Sequence, residues 1–143
     1  MNLDHLRRGS FCAEKCVQAK FILIYWEKGD RSNMELYHAS KQIVQYPEVR
    51  KAKYTKDFSW GFYCTNNIEQ AIRWANRGAG EPIINYYDYT PDKNLRILRF
   101  SEISDEWLDF IIDCRSGKPH QYDIVIGAMA NDQIYNYVSD YID

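Results

Sequence analysis

The sequence predicts an α+β fold with mainly antiparallel strands. Strand-like and helix-like stretches follow one another in mixed order, without the regular alternation of a parallel α/β sheet. The strand-like stretches are short and rich in aromatic and β-branched residues, as half-buried pleated surfaces require. The helix-like ones carry capping residues and end on glycine. A chain of 143 residues forms one domain of ordinary size with a core large enough to need no staples.

Taken in order, residues 1–33 are the least patterned part. Residues 21–26 form its one apolar run, which suits a buried strand or a helix segment equally. Residues 29–33, Gly-Asp-Arg-Ser-Asn, form a loop. We expect 1–33 to be an N-terminal appendage and 34–143 to be the folded domain. The segment 36–39 is a short strand, with Leu36 and His38 on one face by alternation. Residues 41–58 are polar, interrupted by Pro47, and read as an irregular loop. Lys51, Lys53 and Lys56 give this loop positive charge, which suits a solvated face or a phosphate contact.

Residues 60–65, Trp-Gly-Phe-Tyr-Cys-Thr, form a strand in which Gly61 marks a bulge or a close approach to the backbone. Asn66 and Glu69, three apart, make a capping pair for a helix over 68–75. Ile68, Ala71, Ile72 and Ala75 give that helix its apolar stripe, and Trp74 lies at the stripe's border. Residues 83–89 and 95–100 read as two strands joined by a turn at 91–94. Ser104 caps a second helix with Asp105 and Glu106 in its first turn. Its core face is Trp107, Phe110, Ile111 and Cys114, and Gly117 stops it. A buried strand over 123–127 follows, then a last helix capped by Asn131 with Ile134, Tyr137, Val138 and Tyr141 on one side.

Composition excludes several function classes. A formal net charge of −2 argues against a surface dominated by phosphate neutralisation. No apolar run approaches the roughly twenty residues that a membrane span needs. Arg7 and Arg8 are not followed by an apolar h-region, so no secretory signal is read. The four cysteines lack disulfide-framework spacing, which suits a reducing cytoplasm. His5, Cys12 and Cys16 offer three zinc ligands without a fourth, and a zinc-containing interaction domain is the weakest of the functional readings. There is no dinucleotide fingerprint, no P-loop and no His-Glu-x-x-His, so a hydride-transferring enzyme, a nucleotide triphosphatase and a zinc protease are poor readings.

Three stretches stand out together: Glu-Leu-Tyr-His-Ala-Ser at 35–40, Asp-Phe-Ser-Trp-Gly-Phe-Tyr-Cys-Thr-Asn-Asn at 57–67, and the helix at 68–75. In kind and order they resemble the ADP-ribosyltransferase superfamily, in its diphtheria-toxin and poly(ADP-ribose) polymerase branch. The chain looks most like a bacterial domain-of-unknown-function family placed in that superfamily on these signatures. The resemblance covers roughly residues 34–143. It implies two small sheets facing each other around a cleft that binds NAD as substrate, with flanking helices. By the same resemblance, His38 would hydrogen-bond the ribose hydroxyls. Ser40 would contact the nicotinamide amide or the ribose, Gly61 would be a cofactor-binding position where the backbone is closely approached, Tyr63 would pack on the nicotinamide ring, and Trp74 would be a second stacking aromatic.

The sequence departs from the pattern at the glutamate that the superfamily places on a late strand. Here His120-Gln121-Tyr122-Asp123 stands in that place. Gln121 and Asp123 share a face if the strand extends through them. We expect Asp123 to be the carboxylate that faces the developing oxocarbenium ion, Gln121 to orient or contact the acceptor, and Asp132 to be the runner-up. Loss of the glutamate makes elongation to poly(ADP-ribose) unexpected.

The resemblance therefore implies a glycosyltransferase: a mono-ADP-ribosyltransferase modifying a macromolecular target, toxin-like, with an antitoxin protein as a candidate partner. An NAD glycohydrolase would use the same groups. A catalytically inactive module binding a nucleotide or a protein is the reading that the missing glutamate favours.

Overall fold

A computed structural model describes residues 6–8, 21–24, 34–50, 56–89 and 93–130. The last helix expected from Asn131 onward, Asp132 with it, and His5, Cys12 and Cys16 lie outside the described residues. The described elements are, in order, β1 (Leu6–Arg8), β2 (Phe21–Ile24), β3 (Met34–Ser40), β4 (Phe62–Thr65), α1 (Ile68–Ala75), β5 (Ile83–Tyr89), β6 (Ile97–Arg99), α2 (Asp105–Arg115) and β7 (Ile124–Gly127). The fold is α+β, with two small sheets. One is β1-β5-β3 and the other is β4-β2-β7-β6. A single pair, Tyr37 with Thr65, joins them into one seven-stranded order.

The strand directions correct the expectation of mainly antiparallel pairing. Only β3 runs antiparallel to its neighbours, β4 and β5. The pairs β1 with β5, β2 with β4, β2 with β7, and β6 with β7 are all parallel. Parallel neighbours need a connection of a dozen or more residues, and the chain supplies one by inserting α2 between β6 and β7. The hairpin expected from 83–89 and 95–100 does not form. β5 pairs with β1 and β3, whereas β6 pairs with β7 in the other sheet. Two alternating apolar stretches look the same whether they pair with each other or with distant strands, so the pattern alone misplaced them.

Both β1 and β2 come from the segment expected to be an appendage. Phe21–Ile24 is a strand, and it lies between β4 and β7.

Alternation sorts the side chains of β3, β4 and β7 onto two faces. On one, Leu36, Phe62, Cys64, Tyr87, Tyr89, Ile124 and Ile126 form a core, covered by Val44 and Leu95. On the other, Phe58, Tyr63 and Val125 pack under α2 through Trp107 and Ile111. Tyr37 and Ile84 pack under α1 through Ala71 and Ala75. All four residues of β4 and of β7 are buried, as strands covered on both faces require. Trp107 is fully buried and spends its one polar atom well, its Nε1–H donating to the Ala128 carbonyl at 2.9 Å.

The cap of α1 falls one residue later than expected. Asn67, not Asn66, is extended, and its side chain accepts from the Glu69 and Gln70 amides at 3.0 and 3.2 Å. Thr65 explains the shift. Its Oγ1 accepts the Asn67 N–H at 3.1 Å and donates to Gln70 Oε1 at 2.6 Å, so the reciprocal half of the cap comes from the end of β4. The other end of α1 is closed by Lys41, whose ammonium donates to the Ala75 carbonyl at 2.6 Å and the Gly80 carbonyl at 3.3 Å. A cation is favoured at that end of the helix. Lys41 thereby fastens the chain just after β3 to the end of α1.

Candidate functional site

His38 lies near the end of β3, beside β4. Its ring stacks on Phe62 with centroids 4.1 Å apart, on the face it shares with Leu36. Its Nδ1 is 2.7 Å from the Tyr63 carbonyl oxygen. A carbonyl only accepts, so Nδ1 carries the proton and Nε2 presents a lone pair. Burial holds the imidazole below its usual pKa, against the raising effect of the carbonyl bond, and the charge of Lys56 pushes the same way as burial. His38 is thus a neutral, orientation-locked hydrogen-bond acceptor at pH 7.

Two residues set the backbone around it. Ser40 Oγ accepts the Gln42 N–H at 3.2 Å, turning the chain out of the strand. Asn85, opposite His38 in the β3–β5 register, is 3% exposed. Its Oδ1 accepts the Val44 N–H at 2.7 Å, and its Nδ2 donates to the Gln42 carbonyl at 3.2 Å and the His38 carbonyl at 3.4 Å. The Tyr87 hydroxyl holds the Val44 carbonyl at 2.5 Å. Asn85 went unnoticed in the sequence, although a polar amide at an inward position of the apolar run at 83–89 was a signal that it serves as a bracket.

Tyr63 contributes its carbonyl to His38, but its ring goes to the opposite face of β4. There the hydroxyl donates to the Ser59 carbonyl at 2.7 Å and accepts the Phe58 N–H at 3.2 Å. Burial raises its pKa far above the ordinary phenol range. The aromatic surface next to His38 is that of Phe62. Trp74 is half-buried and packs against the cluster around Tyr63, Phe58 and Trp107. Gly61 is a half-buried bend residue just before β4 and not a bulge within it.

Asp57 is 3% exposed and accepts three hydrogen bonds from two residues. Its Oδ1 accepts from Arg115 Nε at 2.9 Å and Nη2 at 2.6 Å, and its Oδ2 accepts the Ala130 N–H at 3.0 Å. This ties the turn before β4 to the end of α2 and to the chain beyond β7. His120 adds a further bond to that turn, its Nε2 lying 3.2 Å from the Phe58 carbonyl.

Gln121 and Asp123 precede β7, which begins at Ile124, so strand alternation does not govern their faces. Gln121 is exposed. Asp123 grips Arg96: Oδ2 accepts from its backbone N–H at 2.9 Å and its Nε at 3.1 Å, and Oδ1 from its Nη2 at 3.0 Å. In register Asp123 lies one row before the row of Phe62 and Ile124. From β3 to β7 is three strand spacings, about 14 Å across the sheet. The structure therefore brings His38, Ser40, Phe62, Asn85 and the Tyr63 carbonyl together. It does not bring Asp123 or Gln121 to them.

Residues 34–143 match the model of a family described as a protein of unknown function, DUF3990. The chain belongs to the DUF3990 family. The matched span begins where β3 begins and includes both helices, His38, Asn85 and Asp123; β1 and β2 of this DUF3990 protein lie upstream of it. No curated protein and no solved structure matches the chain. Among the described residues of the DUF3990 protein, no group of three His, Cys, Asp or Glu side chains is placed to hold a metal ion. No described helix is long and apolar enough to cross a membrane.

The state of His38 has a measurable consequence. Its pKa is depressed in the folded protein, so the unfolded chain takes up a proton first as the pH falls below about 6.5. The stability contributed by the neutral imidazole is complete above that pH and is lost as the pH falls toward the folded value. Urea midpoints measured at pH 7.5 and 5.5 should drop more for the wild type than for His38→Gln. Equal drops would show that His38 does not carry the effect.

Proposed function

We propose that this protein is an NAD-dependent mono-ADP-ribosyltransferase acting on a macromolecular target. The observation that carries the reading is the locked imidazole of His38, presenting Nε2 as an acceptor beside the Ser40 turn. Such an acceptor suits a ribose hydroxyl, which donates. The bond between nicotinamide and ribose breaks with nicotinamide leaving. The ribose carbon then bonds to a nucleophile of the target, which gives up a proton. Holding the ribose hydroxyls lets the ring flatten into an oxocarbenium-like state without losing its place. For Asp123 to supply charge to that state, it would have to release Arg96 and also close the three strand spacings, about 14 Å, that separate β7 from β3. In this reading NAD is a substrate, the protein works in the cytoplasm as a toxin-like effector, and an antitoxin is its natural partner. Cys64 and Cys114, neither of them in a disulfide, fit that compartment.

One observation favours a second reading. The carboxylate expected at the reacting centre is engaged by Arg96, and Gln121 stands exposed beside it. A cleft without a carboxylate binds a nucleotide or a protein and does no transfer. With water as acceptor, the same groups make an NAD glycohydrolase.

Nicotinamide release from NAD, with and without cell lysate, separates these. Transfer predicts release by the wild type, increased by lysate and accompanied by label on a macromolecule. His38→Ala should lower it by about a hundredfold, as expected for a group that positions the substrate. Release without labelling identifies the glycohydrolase. No release, with NAD still bound, identifies the binding module. Release that survives Asp123→Ala removes Asp123 from the mechanism.

A further inference from the structure

The loop after β3 is anchored at every third residue and exposes apolar side chains between the anchors. Lys41 is tied to the end of α1 through the Ala75 and Gly80 carbonyls. Val44 has both backbone polar groups taken by buried side chains of β5. Asn85 accepts its N–H, and the Tyr87 hydroxyl donates to its carbonyl. Pro47 is buried. Between these points Ile43 is 55% exposed and Tyr46 is 73% exposed, the two most exposed of the large hydrophobic residues described. Single exposed apolar residues are ordinary, but two in one short, pinned loop make a contact surface that is ordered before any partner arrives. The loop lies over the face of the sheet that carries the His38 ring. Val44 packs on the cluster of Leu36, Phe62 and Tyr87, and His38 stacks on Phe62. The Asn85 amide nitrogen reaches the His38 and the Gln42 carbonyls alike. Charge narrows what the loop can meet. Within 41–50 the Lys41 ammonium is spent on helix carbonyls, and Arg50 closes on Glu48 at 2.7 Å. This stretch therefore offers no uncommitted cation to a phosphate backbone, and its apolar anchors suit a protein.

We propose that Ile43 and Tyr46 dock a protein acceptor of ADP-ribose beside His38. The inference rests on the reading above and adds the class of target, which that reading leaves open, and the residues that hold it. A large aromatic anchor on a fixed backbone carries a disproportionate share of a protein interface, because little freedom is lost when it binds.

The test compares the full chain with the double variant Ile43→Ser, Tyr46→Ser in two assays. One is nicotinamide release from NAD without lysate, and the other is transfer of labelled ADP-ribose to lysate at limiting acceptor. Both side chains are exposed, so the thermal transition should not move. Release should stay within about twofold, whereas labelling should fall by roughly ten- to a hundredfold. Tyr46→Phe keeps the ring and should keep most of the labelling. The label should be removed by protease and survive nuclease. Unchanged labelling by the double variant overturns the inference and leaves transfer standing. A label removed by nuclease overturns it as well, since the acceptor is then a nucleic acid. An equal fall in release also overturns it, since the loop would then act on the NAD site. A wild type that self-associates, with only the double variant monomeric, gives the loop to a second copy and overturns it. A wild type that releases nicotinamide and labels nothing, or releases none, overturns the proposed transfer and this inference with it.

Discussion

Asp57→Ala should destabilise the protein by about 3–5 kcal/mol, because it strands a buried arginine. The side chains of Arg115 and Asp57 are only 12% and 3% exposed, so water cannot replace what the carboxylate supplies. The substitution also leaves the Ala130 N–H without its acceptor and frees the turn that bears Lys56 and Ser59. Asp57→Asn keeps an oxygen for one of these partners and should lose less. Urea denaturation at neutral pH reads both. A loss below about 1 kcal/mol for the alanine variant would mean that the pair is solvated and that the turn is held by Tyr63 alone. The Arg96–Asp123 pair is the useful control. It is bidentate but lies at the surface, with Arg96 61% exposed, so its removal should cost far less than that of the buried pair.

Removing residues 1–33 should abolish folding, although the family match begins at Met34. β2 pairs with β4 from Phe21–Phe62 to Ile24–Thr65 and with β7 from Phe21–Ile124 to Ile24–Gly127. Without it, β4 and β7 lose their shared neighbour, and two fully buried strands become open edges. The sheet β4-β2-β7-β6 then has no continuous ladder, and the loss exceeds the roughly 5–15 kcal/mol of net stability that a domain of this size possesses. The shortened chain should be insoluble or lack a cooperative melt. A soluble 34–143 chain with a sharp thermal transition would show that β4 and β7 close on each other, and that the upstream segment is the appendage first expected.

The parts of the fold that local chemistry dictates were legible. The helix at 68–75 was readable because Ile68, Ala71, Ile72 and Ala75 repeat at helical spacing, and the residues and bounds agree with α1. Ser104 does cap α2, its hydroxyl accepting the Trp107 N–H at 3.2 Å, and Trp107, Ile111 and Cys114 are the buried face. The placing of Leu36 and His38 on one face of β3 followed from the period of two and agrees with the packing on Phe62. The cap at Asn67 was missed by one residue because Thr65, on the strand before, took the role assigned to Glu69. Pairing of 83–89 with 95–100 was expected and does not form, for a larger reason. Strand partners are chosen by what else is present in the sheet: β6 pairs with β7, and β5 with β1 and β3, all of them remote in sequence or separated by a helix, so a local turn does not decide the pairing.

The candidate site divides in the same way. From the sequence alone came the one-domain size, the α+β class, the two helices with their buried faces, and His38 as an unexpected polar group on an apolar strand. Each depends on residues within a few positions of each other, where periodicity and capping act. Only the tertiary structure decided that strands from both ends of the chain share a sheet and that most pairs run parallel. It also decided that Asn85 and Lys41 brace the chain around His38, that the Tyr63 ring faces away from it, and that Asp57 and Asp123 are held by Arg115 and Arg96. Those contacts join residues far apart in the chain. Taking such charges and amides out of water is costly and is offset only by partners that meet once the sheets have closed, and no local pattern records it.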